Sequence, residues 1–181
     1  MTNNQNHSPI IFSSFSKLLD YPTPAHEEAI SCLLGSESSL SDDSVTALRP
    51  FADWFQTTPL LQREEIYSSL FDIDPRCTPL LSIHLFGEED YRRGEFMVKL
   101  GELYEVYGTE LGSSLPDHIA VVVGFAAKLN FEEREDLFHH CLRTPLSKML
   151  PLVPDDHPYR SLLHALSTIV TVEMPKEALH V

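Results

Sequence analysis

Apolar residues recur along this chain at the three- and four-residue steps of a helix, not at the two-residue step of a strand. Phe12, Phe15, Leu18 and Leu19 form the first stripe, and Tyr21-Pro22-Thr23-Pro24 stops it. Pro24 is suited to open a second helix through Leu34, with Gly35 as its C-terminal cap. Ser36 to Ser44 reads as a loop in which Ser41 or Asp42 caps the third helix. The next stripe holds Leu48, Phe51, Ala52, Trp54 and Phe55, with Pro50 as a start or kink. Pro59 begins another helix, whose Leu60, Leu61, Ile66, Tyr67, Leu70 and Phe71 are expected to face inward. Asp72 to Pro79, with its two X-Pro steps, reads as an ordered loop.

The second half continues the pattern. Leu80 to Phe86 is a short apolar helix or extended piece. A long helix from Glu88 to Tyr107 comes next, with Phe96, Leu100, Leu103 and Tyr107 on one face. Gly108 and Gly112 break it, and Leu115 to Leu129 is apolar nearly all round, as a central helix would be. Phe131 to Cys141 is amphipathic, with Glu132, Glu133, Glu135 and Asp136 near its positive end. Pro145, Pro151, Pro154 and Pro158 divide the next region before a last helix from Tyr159 to Val172. Alternating runs and hairpin dipeptides are absent from the sequence. The expectation is an all-α fold, a single-domain bundle of eight to ten helices. It would span residues 10–174, between a flexible N-terminus (1–9) and a C-terminal tail (175–181).

Composition narrows the function classes. Thirteen basic against 27 acidic residues leave a formal charge of -14, which repels a phosphate backbone and an anionic membrane surface. Such a chain attracts a cationic partner, such as an Arg- or Lys-bearing peptide. Cys32, Cys77 and Cys141 are isolated from one another, which suits a reducing compartment better than a disulfide framework. Met1 to Phe15 has no basic residue ahead of its apolar patch, so it makes a poor signal peptide. The strongly apolar run Ile119 to Ala127 is too short to span a bilayer. A cytoplasmic protein without stable membrane association is expected.

The chemistry-bearing residues concentrate between His84 and His118. Leu115-Pro116-Asp117-His118 places a proline, an acid and an imidazole at the head of an apolar run. The plain reading is a helix start, with Ser114 and Asp117 in a weak capping pattern. The functional reading turns Asp117 and His118 into a groove, where a carboxylate accepts hydrogen bonds from a ligand's cation. No nucleophile or oxyanion site accompanies the pair, so hydrolysis is disfavoured. His139-His140-Cys141 point in different directions on a helix, and His26-Glu27-Glu28 lacks a second histidine four residues on, so metal binding is not expected. Gly-rich phosphate loops are missing.

A set of ordered motifs then points to a family. Glu65-Ile66-Tyr67, Phe71-Asp72, Ser82-Ile83-His84-Leu85-Phe86, the segment Tyr91 to Tyr107, Leu115-Pro116-Asp117-His118 and Pro158-Tyr159-x-x-Leu162-Leu163 together resemble the NarJ branch of the NarJ/TorD family. These are cytoplasmic assembly chaperones of molybdenum oxidoreductases, typified by the nitrate reductase delta subunit. The likeness runs from about Leu61 to Leu166. It implies a TorD-like helical fold, no catalytic activity and no stably bound cofactor, the molybdenum cofactor (molybdopterin) belonging to the client. It also implies a partner: the N-terminal, twin-arginine-like segment of an apo catalytic subunit, with molybdenum cofactor biosynthesis proteins as further contacts.

The family's Pro-Asp-His element falls on Pro116, Asp117 and His118, in a hinge associated with leader recognition. The resemblance places the leader-binding groove beside it, lined also by Leu115, Tyr104 and Tyr107, with Asp72 and His84 in support. Two departures stand out. Many relatives carry an acid where this chain has Ser114, and a glutamate where it has Gly124. Both changes remove negative charge near the expected groove. The rival expectation is a non-enzymatic helical adaptor or regulator that binds another basic peptide or protein.

Overall fold

Proline, serine and asparagine punctuation divides the described chain, residues 9–73 and 77–172 of a computed structural model, into ten α-helices joined by short turns. The expectations for the N-terminus before Pro9, for Asp74-Pro75 and for the tail at 175–181 lie outside the described residues. Helices α1 (Pro9–Leu18) and α2 (His26–Gly35) form an antiparallel pair, and α1 packs along α7 (Ile119–Ala126). Helix α3 (Asp42–Thr57) packs along α10 (Pro158–Val172) in the same way. The remaining helices are α4 (Leu60–Phe71), α5 (Leu81–Phe86), α6 (Arg92–Val106), α8 (Phe131–Leu137) and α9 (Arg143–Met149); α5 packs on α6 and α9, and α9 on α10. Strands are absent among the described residues, apart from one isolated antiparallel bridge between Leu80 and His118. The all-α expectation holds.

One contiguous core runs through the bundle. Tyr159 of α10 sits at its aromatic centre, with ring centroids 5.4 Å from Phe51, 5.9 Å from Trp54, 5.7 Å from Tyr67 and 5.4 Å from Phe71. Edge-on pairs of this kind add about 0.5–1.5 kcal/mol each beyond burial, so Tyr159 ties α3, α4 and α10 together. Arg63 belongs to this core too. Its guanidinium lies 3.6 Å from the centroid of Phe55, donates to Thr58 O at 2.6 Å and pairs with Glu27 at 2.6 Å.

Several boundaries shift for physical reasons. Ser41 caps α3 by accepting from Ser44 N–H, as its position suggests. Pro50 lies inside α3 on the exposed side, where burial of Leu48, Phe51, Ala52 and Phe55 outweighs the roughly 3 kcal/mol a helical proline costs. Leu61 does not face inward. It is 68% exposed, because Arg63, Tyr67, Leu70 and Phe71 define the buried side of α4. Helix α6 begins at Arg92 instead of Glu88, because the Asp90 carboxylate captures Arg92 N–H at 2.8 Å. Pro145 does not cut the chain. It lies inside α9, behind a five-residue π turn (Phe138–Leu142) in which Arg143 N–H reaches back to Phe138 O. Widened turns of this kind make room for a proline ring that would strike the carbonyl four residues earlier.

Candidate functional site

The hinge between α6 and α7 starts with a glycine cap. Gly108 takes φ +59° directly after the helix; its N–H donates to Glu105 O at 3.1 Å, and Thr109 N–H donates to Tyr104 O at 2.8 Å. This is a Schellman ending, which the left-handed conformation of glycine makes cheap. Gly112, also at φ +59°, turns the chain a second time toward Leu115.

Leu115 to His118 are then held from three sides. Tyr104 of α6, 1% exposed, donates its hydroxyl to Pro116 O at 2.8 Å. Leu81 N–H donates to Asp117 O, and Ile119 N–H donates to Pro79 O, both at 2.9 Å. The Asp117 carboxylate is fully buried and accepts from Ser82 N–H at 3.3 Å and Ser82 Oγ–H at 2.5 Å. It therefore caps the N-terminus of α5, a helix distant in sequence, and not the helix directly after it. Ser82 Oγ in turn accepts from Arg93 Nε at 3.0 Å, so a guanidinium, a hydroxyl and the carboxylate form one chain. The other oxygen, Asp117 Oδ1, is buried with no hydrogen-bond partner.

This pairing explains why α7 begins at Ile119 and not at Leu115: residues 117–119 are occupied by 79–81. His118 is the cap of α7, accepting from Ala120 N–H through Nδ1 at 3.2 Å. Burial pushes its imidazole below the usual histidine range, against the opposing pull of Asp20, Asp117 and Asp72. The ring is thus neutral near pH 7, with its proton on Nε2. His84, also lowered by burial, spends its Nε2 on Thr78 O at 2.8 Å. Asp72 ends α4 in the open, where it accepts from Ser68 Oγ and acts on His118 only through its charge.

Tyr107 leads away from the buried latch into a groove between α6 and α8. Its ring stands edge-on to Phe125 at 5.3 Å, and its hydroxyl donates to Glu133 Oε1 at 2.5 Å. That hydrogen bond raises the Tyr107 hydroxyl above its ordinary value and lowers the Glu133 carboxyl below its own. The groove encloses about 300 Å³; Leu100, Leu103, Leu129 and Leu137 supply its apolar walls, and Glu133 and Asp136 its acidic ones. Leu115 is 48% exposed, the most accessible of the four hinge residues.

The structure thus gathers Leu115, Pro116, Asp117, His118 and Tyr104 into one hinge and leads Tyr107 out of it. It turns His84 toward Thr78. Residue-by-residue reading missed Glu133, Ser82 and Arg93. Asn130-x-x-Glu133 has the spacing of a capping box, and both of its bonds form, at 3.0 Å and 3.1 Å. That local signal fixes Glu133, but its contact with Tyr107 is not local. Gly124 does not line the groove: a Cβ there would lie 2.6 Å from Ser16 Oγ of α1.

Among the described residues no group of three metal-ligating side chains converges, and no helix is long and apolar enough to cross a membrane.

Comparison with known proteins agrees with this architecture. A protein from Archaeoglobus fulgidus assigned to redox enzyme maturation has the same fold in its crystal structure, with a TM-score of 0.67 at 22% identity over 92% of this chain and 95% of that one. The nitrate reductase molybdenum cofactor assembly chaperone NarJ of Escherichia coli, strain K12, is 33% identical over 118 residues, and that of strain O157:H7 is equally similar. The matched stretch is 63% of this chain and 50% of each relative, so the chain spans about half the length of the curated relatives it matches. The model of the family described as nitrate reductase delta subunit matches residues 37–149, from the turn before α3 to the end of α9 and across the whole hinge. This chain belongs to the nitrate reductase delta subunit family.

Proposed function

We propose that this protein is a dedicated cytoplasmic chaperone for the catalytic subunit of a molybdenum oxidoreductase. It binds the N-terminal, twin-arginine-like segment of the apo subunit, holds the subunit while the molybdenum cofactor is inserted, and then leaves. It carries no catalytic activity of its own. The cofactor belongs to the client, and its delivery brings molybdenum cofactor biosynthesis proteins into transient contact.

The groove at Tyr107 is the observation that carries this reading. Its apolar walls suit the hydrophobic face of a leader helix, and its acids suit the arginines beside that face. Leu115, Leu103 and Tyr107 touch the segment. Pro116, Asp117, His118 and Tyr104 position the hinge that presents them, and Asp72 and His84 support it from α4 and α5. The name of the relatives, molybdenum cofactor assembly chaperone, agrees with binding of an unfinished subunit.

Calorimetric titration with a synthetic peptide copying the client's N-terminal segment tests the reading. Leu103→Asp adds negative charge but removes an apolar wall at an exposed position. It is expected to weaken binding about tenfold or more while circular dichroism stays unchanged. Wild-type affinity in this variant would remove the groove from the binding site.

A further inference from the structure

The groove between α6 and α8 is bridged by the molecule's own side chains. Tyr107 caps the C-terminal end of α6, Glu133 stands in the first turn of α8, and both line the groove half-buried. The 2.5 Å hydrogen bond from the Tyr107 hydroxyl to Glu133 Oε1 therefore joins one wall to the other. It raises the Tyr107 hydroxyl and lowers the Glu133 carboxyl, so the acceptor is an ionised carboxylate and the bond is charge-assisted.

Both oxygens of Glu133 are engaged, because Oε2 accepts from Asn130 N–H at 3.1 Å in the capping box. Asp136, one turn along in the same groove, is exposed and carries no hydrogen bond or ion pair among the described residues. The groove thus has one free acid and one whose oxygens the chain itself occupies. The Tyr107 O–H stands where an N–H of a ligand's cation would donate. Cys141 of the π turn lines the same groove, yet it is only 7% exposed and burial pushes its thiol up to about 12. The lining at Cys141 is shielded while the walls are joined. Gly108 follows Tyr107 directly, and Lys128 Nζ donates to Gly108 O at 3.1 Å, so the backbone is tied here independently of the ring.

We propose that the Tyr107–Glu133 hydrogen bond is a latch, an autoinhibitory contact that holds the groove closed until a cationic group of the bound segment displaces the hydroxyl from Glu133. Asp136 is the acid such a cation meets first. The latch rests on the leader-binding reading for the identity of the occupant, but the closed groove is a property of this chain alone.

Two measurements test it in a Cys32→Ser background, where Cys141 is the reporting thiol because Cys77 is fully buried. One is the rate of Cys141 labelling by a small maleimide. The other is the affinity for a synthetic helical peptide with two arginines beside a leucine stripe. Tyr107→Phe keeps the ring against Phe125 and deletes the donor. Labelling is expected to become about tenfold faster and peptide binding about tenfold tighter, as for a contact that closes about nine molecules in ten. Glu133→Gln keeps the capping box but removes the acceptor's charge, so labelling should also speed up while peptide binding weakens. A merely structural bond would instead lower affinity in both variants, and circular dichroism checks that both fold. Unchanged labelling in Tyr107→Phe, or peptide binding no tighter than in the parent, overturns the latch. If the peptide binds neither protein, the leader-binding reading fails by itself and the labelling rate decides the latch.

Discussion

At the scale of the residue, Asp117 shows how an acid that the sequence turns toward a ligand can be spent on the fold instead. Its carboxylate is fully buried, one oxygen occupied by Ser82 and the other without a partner. An acid placed this way does not reach out to a ligand; under the proposed function it works through the position of the hinge. Asp117→Ala removes the cap of α5 and leaves Ser82 N–H and Ser82 Oγ–H without their acceptor. A loss of about 1–3 kcal/mol in urea unfolding is expected, together with weaker leader binding. Ser82→Ala takes away the hydroxyl donor but keeps the backbone one, so its loss should be smaller. If Asp117→Ala unfolds like wild type and binds the leader peptide equally well, the hinge has neither role.

At the scale of the element, α7 illustrates how a close approach dictates sequence. Ser16 of α1 donates to Ala120 O at 2.7 Å, and an added Cβ at Gly124 would meet Ser16 Oγ at 2.6 Å and Ser16 Cβ at 3.2 Å. Helix propensity alone favours alanine over glycine by about 1 kcal/mol. Here the contact between α1 and α7 works against that gain. Gly124→Ala should therefore fail to stabilise, and Gly124→Glu should lower the unfolding midpoint by the equivalent of about 1–3 kcal/mol. Ser16→Gly should recover much of the loss in the same background. A stabilised Gly124→Glu protein would show that α1 can move aside. This contact also revises the reading of the Gly124 departure, since the position faces α1 and not the groove.

At the scale of the whole molecule, burial of histidines sets the response to acid. His26, His84, His118 and His157 are each held below their ordinary value of 6.5, chiefly by burial. The opposing acids are Asp20 at His26, Asp156 at His157, and Asp20, Asp117 and Asp72 at His118; Arg63 and Lys148 act in the other direction on His26 and His84. The unfolded chain binds protons at these groups more readily than the folded one. Their stabilising contribution is therefore fully present above pH 6.5 and falls as pH drops through the depressed folded values. Urea midpoints should be lower at about pH 5.5 than at about pH 7.5, and replacing His118 with Gln should flatten part of that slope. An identical midpoint at the two pH values would contradict the burial of these rings.

Much of this was legible without coordinates, for a reason that holds across the chain. The helix stripes at Phe12–Leu19, Leu48–Phe55 and Tyr159–Val170 depend on local periodicity, and a helix hydrogen-bonds within itself, so local pattern is enough to specify it. The cap at Ser41 and the break at Gly108 are local in the same sense. The ordered motifs also placed the chain in its family. Tertiary structure decided which way the polar groups of those helices turn. Asp117 meets Ser82 across 35 residues, Tyr107 meets Glu133 across 26 and Ser16 meets Ala120 across 104. Such partners are chosen by the packing of whole helices, and no spacing rule within a segment reports them. The same packing turned Leu61 outward and Asp117 inward, reversing the exposure that each one's neighbours in sequence suggest.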